Sequence, residues 1–301
     1  MIRAQISALA ISLFLPALAL PATRATPATQ APRQPWTVHY QPQHIVNGSP
    51  IFLSITTPVA ATALSGTWLG HGLIFTFDPL TKTWTALAGT SLETAPGSYP
   101  LALHAETAAH QALSFEKKIP IQRRRYPRVL LKVPDRYTAP SPEEQREIEA
   151  DKKIKEDAFK TLTPVREWQG SFIPPVQAPI SELFGVQRLF NGSVKATHQG
   201  LDFRVHAGTT VTAANRGSVI LAQPLFFEGN CAVIDHGQGL LTLYLHLSKF
   251  LVKEGDEVTK GQPIALSGGT GRATGPHLHL AVRWQGDYLN PQTLLNLRLP
   301  Q

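Results

Sequence analysis

Residues 240–248 read LLTLYLHLS. Leucine fills 241, 243, 245 and 247, while Thr242, Tyr244, His246 and Ser248 hold the alternate positions. A period of two is the mark of a β-strand with one apolar and one polar face. The spacing predicts a strand whose leucines enter a core and whose His246 stands on the opposite, polar face. Similar runs surround it: VTAAN (211–215), SVILAQ (218–223), CAVIDHG (231–237), PIALSGG (263–269) and HLHLAVRW (277–284). DHGQG (235–239) reads as a hairpin turn, and VKEGDEVTKGQP (252–263) as a turn-rich connection. Residues 168–301 are therefore expected to form an all-β sheet or barrel bearing a cleft.

Upstream the pattern is again short β runs between turns. WTVHY, IFLSITT, LIFTFDP, TWTALAG, YPLALHAE and LSFEKKIPIQ are candidate strands over 36–134. They suggest an antiparallel β-sandwich, immunoglobulin-like in strand number and length. Lys117, Lys118, Arg123, Arg124, Arg125 and Arg128 gather at its end. A charged edge strand that resists aggregation accounts for them, and a polyanion contact is the sharper alternative. Between the two β regions, 135–167 is a linker holding a charged helix. Ser141 and Glu144 fit a capping box, Pro142 sits at the first helical position, and Ile148, Ile154, Ala158, Phe159 and Leu162 make a thin apolar stripe. The fold class read from the sequence is thus mainly β, with a sandwich, a connecting helix and a second β region.

The first 22 residues, MIRAQISALAISLFLPALALPA, have a basic start, a short apolar stretch and small residues after it. They read as a signal peptide, followed by a flexible lead-in over 23–35 rich in Pro, Ala and Thr. A periplasmic or secreted protein with no membrane span after cleavage is the expectation.

The whole chain has 301 residues, 43% hydrophobic and 16% charged, with 25 Pro and 22 Gly. That is enough apolar material for a core and too many turn formers for a helical bundle. A net charge of +7 permits an acidic partner without selecting nucleic acid, membrane or another polymer. A single Cys, at 231, excludes a disulfide framework and a cysteine-rich zinc finger, and reads as a buried small apolar residue.

The chemistry lies in the histidines. His198 and Asp202 in HQGLD are four positions apart, an even step, so a strand puts them on one face. His277 and His279 in HLHL share a face for the same reason, with Leu278 and Leu280 on the other. Each piece alone is weak, since a lone strand histidine is more often structural. Three histidine-bearing segments together are harder to dismiss. Two imidazoles and a carboxylate make a three-ligand set of the catalytic zinc type, with the fourth position left for water. His206 and His236 fall at turns and read as surface and structural residues.

HQGLD, YLHLS and GGTGRATGPHLHL, in this order and spacing, resemble the three motifs of the M23 (LytM/lysostaphin-type) peptidoglycan metallopeptidases. FGVQRLFNG, GTTVTAANRGSVI, CAVIDHGQGL and VKEGDEVTKGQPI fit as flanking segments, so the resemblance covers about residues 168–295. It implies that His198, Asp202 and His279 bind Zn²⁺ and that His246 and His277 are the catalytic, non-ligand histidines of the cleft. It implies a zinc endopeptidase cutting peptide cross-links of peptidoglycan, with no nucleic acid partner. The family includes Gly-Gly cleavers and enzymes that cut D-Ala-diaminopimelate cross-links; no separate wall-binding module is visible in the sequence, so the D-Ala-diaminopimelate type is the expectation. The rival is an inactive M23-like regulator of a cell-wall amidase, but such relatives lack zinc ligands that this chain retains. A second likeness, of VKEGDEVTKGQPI to lipoyl carrier hairpins, reflects shared barrel architecture rather than function.

Overall fold

The computed structural model describes residues 35–160, 163–192 and 194–300. The expected signal peptide, nearly all of the lead-in and Leu162 lie outside the described residues. The first eight strands are β1 (Thr37–Gln41), β2 (Pro50–Thr56), β3 (Ala61–Trp68), β4 (His71–Leu73), β5 (Thr76–Asp78), β6 (Thr83–Gly89), β7 (Gly97–Thr107) and β8 (Ala112–Ile121). They form two four-stranded antiparallel sheets, ordered β1-β2-β6-β5 and β4-β3-β7-β8. The expected sandwich is therefore present. Two of its strands depart from expectation. ATALSGTW forms β3, which is not among the expected strands, and LIFTFDP is broken into the last residue of β4 and the whole of β5.

Strands β2 and β6 are buried on both faces. Ile51, Leu53 and Ile55 pair with Ala88, Ala86 and Trp84 on one face. This face meets the second sheet, and Trp68 Nε1–H crosses the gap to the Gly89 carbonyl at 2.8 Å. Phe52, Leu87 and Gly89 are on the other face, which packs on the C-terminal half. Phe52 meets Trp168 edge-on with 6.4 Å between centroids, and a Cβ at Gly89 would lie 2.5 Å from Leu289. Fully burying one such apolar side chain contributes about 1.5–3 kcal/mol. The sandwich is thus docked through a sheet face and not merely tethered.

After the sandwich come β9 (Arg128–Leu131) and α1 (Pro142–Ala158), then β10 (Ile180–Glu182), β11 (Gln187–Phe190), β12 (Val194–Thr197), β13 (Gly200–Phe203), β14 (Thr210–Thr212), β15 (Gly217–Leu225), β16 (Gly229–Asp235), β17 (Leu240–Phe250), β18 (Glu257–Val258), β19 (Pro263–Ser267), β20 (Leu278–Trp284), β21 (Asp287–Leu289) and the short α2 (Pro291–Asn296). Ten of these strands make one sheet with the path β10-β13-β20-β17-β16-β15-β18. Strands β12, β11 and β9 form a separate small sheet, in which β9 runs parallel to β11.

Helix α1 has the full capping box on Ser141 and Glu144. Its half-buried Ile154, Ala158 and Phe159 cover Leu221, Cys231, Val233, Leu241 and Leu243. The stripe therefore docks on the C-terminal sheet. Cys231 is buried there, and burial pushes its thiol pKa up.

Strand β17 follows the expected alternation for six residues. Leu240, Thr242 and Tyr244 enter the large core, and Leu241 and Leu243 enter the cluster under α1. The alternation then breaks. Asn230 pairs with Leu247 and Ala232 with Tyr244, so β17 carries an extra residue against β16. His246 sits in this bulge with φ +61°. Leu247 then returns to the large core, and His246 joins the face of the leucines.

Candidate metal centre

Strand pairing places the site. Asp202 on β13 lies opposite His279 on β20, which lies opposite Leu245 on β17. The acid and the imidazole therefore share the sheet face of Leu243 and Leu245. The expectation of a site on a polar face, opposite the leucines, is corrected here. The bulge at His246 carries its ring across to that face, a change that strict period two does not reveal.

His198 reaches the site from the segment before β13. Its N–H bonds the Val186 carbonyl at 2.8 Å, and its carbonyl accepts from Gly185 N–H at 2.7 Å. Gly200 gives His279 room, because a Cβ there would collide with the imidazole Nε2. His198 Nε2, Asp202 Oδ1 and His279 Nδ1 form a buried triangle with sides of 2.9, 3.0 and 2.8 Å.

The tautomers make this triangle informative. His198 Nδ1–H donates to the Leu183 carbonyl at 2.8 Å, so in the neutral ring Nε2 is a bare lone pair. That lone pair faces a carboxylate oxygen, an acceptor, and one proton on His279 cannot satisfy both contacts. A shared cation can. The donor set, two imidazoles and one carboxylate, is the one a catalytic zinc takes.

Burial pushes the pKa of His279 down to about 4, so its ring is neutral at physiological pH. Burial opposes charge on Asp202, but the facing imidazoles outweigh it and hold its carboxyl well below the usual range. The second Asp202 oxygen, Oδ2, accepts from Arg188 Nη2 at 2.8 Å. Arg188 also grips Glu182, whose Oε2 lies 3.2 Å from His198 Nδ1.

His246 and His277 complete the cleft. His246 Nδ1–H donates to the Thr270 carbonyl and His277 Nδ1–H to the Gly275 carbonyl, both at 2.8 Å. Each keeps Nε2 free. Their rings lie 4.7 Å apart, and His277 Nε2 is 3.9 Å from Asp202 Oδ2. Burial first, and then the crowding of the neighbouring His279 and His277 imidazoles, push the His246 pKa down to about 3. All five histidine and aspartate positions singled out in the sequence therefore converge.

His206 is exposed, and His236 is buried with both ring nitrogens bonded, to the Arg216 carbonyl and to Thr242, each at 2.7 Å. Sequence reasoning missed Arg188 and Glu182. Their signal, an acidic and a basic residue six positions apart ahead of the first motif, is too common to stand out. In the loop after β19, Gly271 (φ +69°) lies so close to the backbone of Gly229 that a Cβ there would collide with it.

Comparisons with known proteins agree with this geometry. Residues 196–291 match the profile of Peptidase family M23. The chain is 45% identical over 112 residues to the peptidoglycan DD-endopeptidase ShyA of Vibrio cholerae, covering 37% of this chain and 26% of that protein. It is 38% identical over 118 residues to the DD-carboxypeptidase/endopeptidase Mpg of Neisseria meningitidis, covering 39% of this chain and 27% of that protein. The chain thus spans about a quarter of the length of these curated relatives. A crystal structure of a candidate M23 peptidase from Pseudomonas aeruginosa superposes with a TM-score of 0.64 at 28% identity, covering 83% of this chain and 94% of that one.

Proposed function

This chain belongs to peptidase family M23, and from that premise we propose that it is a zinc-dependent endopeptidase hydrolysing peptide cross-links of bacterial peptidoglycan. The observation that carries the reading is the buried triangle of His198, Asp202 and His279, in which lone pairs meet without enough protons to bridge them. These three residues would hold the zinc. Bound there, zinc supplies Lewis acidity, bringing the pKa of water toward ~7 and polarising the scissile carbonyl.

The protein's own groups do the rest. His246 and His277 are held by Nδ1–H bonds, so each presents Nε2 as a proton acceptor at the cleft. One takes the proton of the attacking water at Nε2 and passes it to the departing amine nitrogen. The protonated ring also donates to the oxyanion. Arg188 fixes the carboxylate of Asp202 and, through Glu182, the tautomer of His198.

The names of the Vibrio and Neisseria relatives favour a bond between two D-centres, so D-Ala-diaminopimelate cross-links are the proposed substrate. The regulator alternative has no support in a complete donor set. We read the chain as a signal peptide (1–22), lead-in (23–35), sandwich (36–134), helical linker (135–167) and catalytic domain (168–301), acting in the cell envelope. The strand orders β1-β2-β6-β5 and β4-β3-β7-β8 support an immunoglobulin-like sandwich. Among the described residues no helix is long and apolar enough to cross a membrane.

The test is digestion of purified sacculi. The full chain releases monomers from cross-linked dimers, chelation stops it, and zinc restores it. Mass spectrometry of the products identifies the bond. Digestion that persists through thorough chelation overturns the metal reading, and failure to cut any cross-linked dimer overturns the substrate.

A further inference from the structure

Arg123, Arg124, Arg125 and Arg128 lie just after β8 and are exposed. The arginine ion pairs of the described residues are Arg136–Glu144, Arg188–Glu182 and Arg188–Asp202, so these four have no acidic partner. The segment is nevertheless fixed. Arg124 N–H donates to Asn47 Oδ1 at 2.8 Å, and Tyr126 O–H to the Asn47 carbonyl at 2.9 Å. The Tyr126 ring lies edge-on to Phe184 and so close over Gly185 that a Cβ there would enter it. Arg128 Nε donates to Gln187 Oε1 at 2.7 Å.

These arginines and the Leu92–Pro96 loop line a groove of about 490 Å³, whose one acid is Glu93. Arg128, Gln187 and Thr197 carry the groove into a second of about 540 Å³, which adds Lys195. Thr197 also lines the cleft at the metal centre, next to His198. A basic track therefore leads from the edge of the sandwich to the metal centre. It draws on both β regions, which explains why no single motif announces it.

We propose that this track is a binding surface for an acidic peptide. Its arginines take the free carboxylates of the stem peptide while the scissile amide lies at the cluster of His198, Asp202 and His279. The inference rests on the peptidoglycan reading for the identity of the peptide. Guanidinium forks match carboxylates in bidentate fashion, and an arginine segment already held in place loses little freedom on binding. Nucleic acid fits less well, because the one aromatic ring in the groove, Tyr126, is already covered by Arg124 and packed on Phe184.

The experiment uses the zinc-loaded full chain and the variant R123Q/R124Q/R125Q/R128Q. The probe is a fluorescent, uncross-linked stem tetrapeptide, either with free carboxylates or fully amidated, so that binding is read without cleavage. The wild type should bind the free acid about tenfold more tightly than the amide, and the variant should bind both equally weakly. On cross-linked dimers, the variant should raise KM while kcat stays within about twofold. A wild type that does not prefer the free acid, or a variant that keeps the preference, overturns the inference. So does a variant that loses duplex oligonucleotide binding alone. If the wild type discriminates between the probes yet cuts no dimer, the activity reading fails and the track stands.

Discussion

The two faces of the C-terminal sheet both bury histidine, and they do so in opposite ways. On the inner face His236 has a partner on each nitrogen, and the network continues through Thr242 Oγ1 to the Tyr244 hydroxyl, whose oxygen also accepts from Ala214 N–H at 2.8 Å. On the outer face, beside the apolar cluster that α1 covers, His198 and His279 crowd a carboxylate with more acceptors than protons. Burial depresses His236 and His279 alike, each to about 4. Burial and a shifted pKa therefore do not separate a structural histidine from a functional one. The balance of donors and acceptors does.

The largest effect that would break this comparison is on turnover. His277→Ala should keep its metal and lose about 10²–10⁴-fold in kcat, the usual loss for a positioned proton-transfer group. Steady-state cleavage of a defined dimer checks it, and near-normal turnover would remove His277 from the chemistry.

Next comes the support of the ligand. Arg188→Gln strips a charge-assisted partner from Asp202, and zinc affinity should fall about 10–100-fold. Competition with a calibrated chelator measures this, and Arg188→Lys should recover part of it. An unchanged affinity would mean that Asp202 is positioned by strand pairing alone.

His236→Gln sharpens the comparison from the other side. Above pH 6.5 His236 is neutral folded or unfolded and contributes no pH dependence. As pH falls from 6.5 toward 4 the unfolded chain takes a proton that the buried ring refuses, so stability falls. The loss should reach about 2–3 kcal/mol near pH 4. Denaturant unfolding across this window should show a flatter slope in the variant, with zinc content unchanged.

The smallest effect concerns the cover over the outer face. Ser141→Ala removes the cap of α1 and should cost about 1 kcal/mol. Urea midpoints would show it, while kcat on a soluble dimer should not move.

Much of the site was legible in the sequence because its residues are short-range pairs, His198 with Asp202 and His277 with His279, in which one member sits on a strand and the other in the segment just before it. The face itself was misread, since one extra residue in β17 at His246 inverts the alternation and leaves no mark in composition. Strand β3 was overlooked because Ala61–Trp68 is mostly small and polar, and its burial falls on Leu64, Gly66 and Trp68. The pairing of Arg128–Leu131 with Gln187–Phe190 was out of reach, because it is parallel and joins segments far apart in the chain. The docking face of β2 and β6 was hidden for a related reason: a strand buried on both sides reads as a plain apolar run.

Metal analysis of the purified full chain tests the central claim most directly. After dialysis against zinc and removal of the excess, plasma mass spectrometry should find one zinc ion per chain in the wild type and in His236→Gln. Asp202→Ala should have lost it. A wild type that retains no zinc, or an Asp202→Ala variant as fully loaded as the wild type, would contradict the account.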